Sequence, residues 1–201
     1  MTRAIAAAGL LSAFFWSSAA ETPRQNWALS STETIWRSRY TNCDKGYYVD
    51  LPPSVVAHAT RPPSPNHGLV ISASNPATTD QVTVGAGRTV EVRDEYNVLR
   101  ATSPRAQLNW ELRQTPGANV KGSRSVRFLG LPAVEASNRF DTNGEPQIIR
   151  ELIVLRKADD LVYSLRLVTN PLNYPRDAAL YEQVRNGFHI FRVSNGECVN
   201  P

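Results

Sequence analysis

Alternation of apolar and polar positions marks the clearest strands of this chain. Ile148 to Arg156 and Leu161 to Thr169 alternate on either side of Lys157-Ala158-Asp159-Asp160 and predict a hairpin. Val120 to Leu129 predicts a strand, and so does Ala133 to Asp141 after a Gly130-Leu131-Pro132 turn; Asn143-Gly144 signals the next turn. In the first half, Tyr47-Tyr48-Val49-Asp50-Leu51 alternates from Gly46 and is stopped by Pro52-Pro53. Leu69 to Ala73 and Arg88 to Val98 predict further strands, separated by a turn-rich stretch from Ser74 to Gly87.

Two segments carry a helical period instead. Ser103-Pro104 has the form of a helix start, with Ser as N-cap and Pro in the first turn. Leu108 and Leu112 then form an inner face, Trp110 points away from it, and Pro116-Gly117 ends the segment. Asp177 to Phe188 predicts a second helix, with Leu180, Tyr181, Val184 and Phe188 as its apolar stripe. Strands joined by tight turns, with helices set between runs of them, predict an α+β fold: a mainly antiparallel sheet flanked by helices. Residues 21–42 mix Trp27 and Trp36 with polar residues and show no firm period, so a lead-in arm is expected there.

The first twenty residues read differently. Arg3 is their only charge, an apolar run extends from Ala4 to Trp16, and Ser17-Ser18-Ala19-Ala20 precedes Glu21. That order predicts a cleavable signal peptide over residues 1–20. The apolar run reaches only about 20 Å as a helix, against a hydrocarbon core of about 30 Å. Residues 21–201 are then expected to form one domain in the periplasm or outside the cell, with no membrane anchor.

Composition narrows the function. The formal charge of +4 is spread among Asp and Glu with no basic run, which argues against nucleic acid as a partner. The only two cysteines, Cys43 and Cys198, are expected to pair in an oxidising compartment. Such a bond would close a long loop and contribute on the order of 5 kcal/mol in the chain-entropy model.

Gly46-Tyr47-Tyr48-Val49-Asp50-Leu51-Pro52, Leu129-Gly130-Leu131-Pro132-Ala133, Leu161-Val162-Tyr163-Ser164-Leu165 and the closing helix ending in Phe188 resemble the PsbP and DcrB type domains. The resemblance spans most of Gly46 to Val193. It implies a PsbP-like α/β/α sandwich, a central antiparallel sheet covered by helices on both faces. It also implies a non-catalytic accessory or binding role, as in the extrinsic subunits of photosystem II. The proline-rich stretch from Arg61 to Gly68 and the terminal cysteine pair depart from the photosynthetic members.

Candidate chemistry is sparse. No G-x-S-x-G elbow and no H-E-x-x-H occurs, and Gly85-Ala86-Gly87 lacks the third glycine of a dinucleotide fingerprint. His58 and His67 are expected on exposed loops and His189 at the end of the last helix; no metal and no cofactor is expected. Asp159-Asp160 reads as a solvated hairpin tip. Two functions stay open: an exported non-catalytic binding or accessory protein whose partner is a periplasmic or envelope protein, or a small periplasmic hydrolase with His58 or His67 as general base. The stretch Thr60 to Gly68 is too proline-rich for a sheet and too polar for a core. It is therefore expected at the surface, where Arg61, Asn66 and His67 would meet a partner with little entropy left to lose.

Overall fold

The computed structural model describes residues 33–36, 38–53, 55–60, 68–73, 89–96, 101–114, 122–142 and 144–192. Seven strands form the larger sheet: β4 (Val55–Thr60), β5 (Gly68–Ala73), β6 (Thr89–Tyr96), β7 (Arg124–Phe128), β8 (Leu131–Thr142), β9 (Glu145–Arg156) and β10 (Leu161–Thr169). Their spatial order is β4-β5-β6-β10-β9-β8-β7, and every neighbouring pair is antiparallel. Four shorter strands, β1 (Glu33–Trp36), β2 (Arg39–Asn42), β3 (Tyr47–Asp50) and β11 (Phe188–Ile190), form a second antiparallel sheet in the order β1-β2-β3-β11. The helices are α1 (Pro104–Arg113) and α2 (Tyr174–Gly187).

Alternation along β9 and β10 sends side chains to two different cores. Leu152, Val154, Leu161, Tyr163, Leu165 and Leu167 join Tyr47 and Val49 of the small sheet and Leu180, Tyr181 and Val184 of α2. Ile153, Leu155 and Val162 point the other way and join Leu108 and Leu112 of α1. With both faces covered, β9 is buried continuously from Glu151 to Arg156, so burial there follows no two-residue period.

Ser103 caps α1 as the sequence predicts: its Oγ accepts from the Ala106 N–H at 3.2 Å, with Pro104 in the first turn. α2 packs on β10, β6 and β3. Its last residue, Gly187, passes so close to β3 that a Cβ there would lie 2.4 Å from the Asp50 carbonyl oxygen.

The architecture is α+β and mainly antiparallel, but more sheet-rich than an α/β/α sandwich. On the α2 side, the small sheet shares the covering layer with α2. Two of its strands lie in residues 33–42, where a lead-in arm was expected. Glu33, Thr41 and Asn42 are buried polar side chains on β1 and β2, so apolar alternation gives no sign of these strands. β4 follows Pro52-Pro53 directly and was not expected either. β7 starts at Arg124, later than the predicted Val120, and α2 starts three residues before Asp177. Phe188 belongs to β11, the strand that α2 feeds.

Candidate functional site

The residues singled out from sequence fall in separate elements or outside the described residues. Thr60 at the end of β4 pairs with Gly68 at the start of β5, so residues 61–67 connect two adjacent antiparallel strands. Arg61, Asn66 and His67 lie outside the described residues. His58 is not on a loop: it sits in β4 opposite Val70, half-buried, and burial lowers its pKa. His189 is not at a helix end but in β11 opposite Tyr48, with the two rings stacked at 4.7 Å. Among the described residues no group of His, Cys, Asp and Glu is arranged to hold a metal ion. No described helix is long and apolar enough to cross a membrane. Cys43 lies in the β2–β3 turn and is not a free thiol; Cys198 lies outside the described residues.

The structure assembles two buried polar clusters instead. The first joins the two sheets. The Tyr47 hydroxyl of β3 donates to Asp94 Oδ2 of β6 at 2.6 Å, and Tyr40 of β2 donates to Glu33 Oε1 of β1 at 2.6 Å. Asn42 Nδ2 lies 3.4 Å from the Tyr40 hydroxyl and 3.5 Å from Asp94 Oδ2. Burial pushes the Asp94 carboxyl up to about 7, opposed by the Tyr47 hydrogen bond and the Lys45 charge. Burial also raises the Tyr40 and Tyr47 hydroxyls above their ordinary range, so both stay protonated donors.

Arg156 extends this junction to the β2–β3 turn. Its guanidinium is buried and donates to three backbone carbonyls: Nη1 to Phe191 at 2.8 Å and Gly46 at 3.3 Å, and Nη2 to Lys45 at 3.1 Å. Asp159 supplies a counter-charge at 2.8 Å. Gly46 has φ +64°, and a Cβ there would stand 2.7 Å from the Phe191 carbonyl oxygen, so glycine permits this approach. The Phe191 N–H donates to the Gly46 carbonyl at 2.9 Å, and the Tyr163 hydroxyl donates to that of Lys45 at 2.5 Å.

The second cluster lies on the α1 face. Register places Glu151 of β9 opposite Arg166 of β10, and Arg166 opposite Glu91 of β6, giving a row of alternating charge across three strands. Arg93 of β6 donates to Glu91 Oε2 at 2.8 Å. From above, α1 contributes Glu111 and Gln107, with Gln107 Nε2 donating to Glu111 Oε1 at 2.9 Å. Glu151 is 2% exposed; burial, and then the Glu111 charge, raise its pKa to about 8. Both clusters consist of groups that join layers of the fold.

No protein-family model matches the sequence, and no curated protein matches it. Solved structures do. The solution structure of cyanobacterial PsbP (CyanoP) from Synechocystis sp. PCC 6803 aligns with a TM-score of 0.55 at 11% identity, covering 81% of this chain and 99% of that one. The chain has the PsbP fold. LpqN, a protein involved in cell envelope biogenesis of Mycobacterium tuberculosis, shares it with a TM-score of 0.52 at 13% identity, covering 73% of this chain and 83% of that one. On this PsbP-like frame, Asp94, Arg156 and Glu151 were missed from sequence. For Glu151 a signal was present. Arg150 and Glu151 together interrupt the apolar run Ile148-Ile149 to Leu152-Ile153-Val154-Leu155, and charges inside a strand covered on both faces need partners.

Proposed function

We propose that this chain is an exported, non-catalytic accessory protein of the cell envelope that acts by binding another envelope protein. The observation that carries the reading is the fold, which covers nearly the whole of CyanoP and is shared with LpqN, whose role is in envelope biogenesis. The PsbP-like domains that the sequence resembles are mostly accessory. The buried polar groups support it, since Asp94, Tyr47 and Arg156 bond to other parts of the fold.

In this reading residues 1–20 are a cleaved signal peptide and the processed protein is periplasmic or extracellular. Cys43, which is not a free thiol, pairs with Cys198. The stiff connection carrying Arg61, Asn66 and His67 meets the partner. Export is tested by expression in a Gram-negative host, fractionation and N-terminal sequencing. The expected product is periplasmic and starts at Glu21; a chain retaining Met1 in the cytoplasm or membrane would overturn the proposal.

A further inference from the structure

Three carboxylates and two guanidiniums meet between α1 and the larger sheet. Glu151 faces Glu111 and Gln107 from α1, Arg166 and the buried Ser164 from β10, and Glu91 and Arg93 from β6; on β8 it stands opposite Ala136, with buried Asn138 two residues along. Glu91 is paired with Arg93. With all three carboxylates ionised the cluster would carry one uncompensated negative charge at a buried site. With one proton it is neutral. A net charge taken out of water costs several kcal/mol, so the proton is the cheaper solution. Glu151 Oε1 is buried with no hydrogen-bond partner among the described residues on the face that α1 covers, and the neighbouring Glu111 charge opposes its ionisation, so the interface favours a proton on the pair.

We propose that Glu151 and Glu111 form a proton-dependent latch that holds the C-terminal half of α1 on the sheet. The rest of the contact is small. Leu108 and Leu112 are the buried apolar side chains that α1 adds to this core, against Val134, Ala136, Ile153, Leu155 and Val162. The N-terminal turn is held separately by the Ser103 cap and by Arg105, which donates to Ser123 Oγ at 2.7 Å. Loss of the shared proton places two carboxylates against each other across the interface. The last turns of α1 then lift, and the apolar strip of Val134, Ile153 and Leu155 is uncovered.

The test is hydrogen exchange of the purified protein between pH 5.5 and 7.5, corrected for the intrinsic pH dependence of exchange and read separately for α1 and β10. Release of one proton on opening makes the α1 opening constant grow by up to about tenfold per pH unit in this window, while β10 stays protected. Glu151→Gln and Glu111→Gln each leave two carboxylates against two guanidiniums. Each should therefore remove the slope, and either variant alone suffices if the other does not fold. Opening of α1 that ignores pH in the wild type, or a slope that survives in a folded Gln variant, overturns the latch. Opening of β10 in parallel with α1 would do so too, because it would mark global unfolding.

Discussion

The Tyr47 hydroxyl reaches across from β3 to donate to Asp94 Oδ2 on β6 at 2.6 Å, so the two sheets are joined by a buried hydrogen bond as well as by apolar packing. The Tyr47 ring is itself enclosed, with Tyr40, Tyr163 and Phe188 centroids at 5.5 to 5.8 Å. Tyr47→Phe keeps that ring packing and removes the donor. Asn42 Nδ2, at 3.5 Å from Asp94 Oδ2, is near the limit for a hydrogen bond and is a weak substitute for that donor. We expect a loss of about 1–3 kcal/mol of unfolding free energy in chemical denaturation, the cost of a buried polar group left under-satisfied. A change within a few tenths of a kcal/mol would show that Asp94 finds another donor.

Stability should fall as pH rises from about 5 to 8, the reverse of the usual behaviour of carboxylates. Asp94 is raised to about 7 and Glu151 to about 8, in both cases first by burial. A carboxyl with a raised pKa binds its proton more tightly in the folded state. Its contribution is therefore complete below its unfolded pKa and is lost as pH climbs through the folded one. Denaturation midpoints at pH 5, 6, 7 and 8 read the slope. Asp94→Asn should flatten the part between pH 5 and 7, and a midpoint that rises with pH in the wild type would refute the assignment.

How much of this was legible beforehand depends on what each segment buries. The β9–β10 hairpin and α1 were readable because Leu161 to Thr169 alternates, and because Ser103-Pro104 is a local capping signal that needs no tertiary partner. β1 and β2 were not readable, since Glu33, Thr41 and Asn42 are buried polar side chains, Glu33 bonded to Tyr40 and Asn42 to Tyr40 and Asp94, and look like surface residues in sequence. The clusters failed to show for a related reason. Asp94 and Tyr47 are 47 positions apart, and Glu151 meets Arg166 and Glu91 only through the order β9-β10-β6. Strand order is a property of the whole chain and not of a local window.

Mass spectrometry of the non-reduced, freshly purified protein should find Cys43 linked to Cys198, and Cys43→Ser should lower the melting temperature. The entropic benefit of closing so long a loop is on the order of 5 kcal/mol, and is smaller if the unfolded chain is compact. Recovery of both cysteines as free thiols would contradict the pairing.

If this PsbP-like chain works by holding a partner, affinity capture from a periplasmic fraction of the native host should recover it. The bait is the processed wild-type protein, run beside a variant with Arg61→Ala, Asn66→Ala and His67→Ala together. One envelope protein is expected to be recovered in stoichiometric amount by the wild type and lost by the variant, with the two melting temperatures equal. Capture by the wild type that persists in the variant would remove the Arg61 to His67 connection from the interface. Recovery of no stoichiometric partner by either bait would contradict the partner-holding role itself.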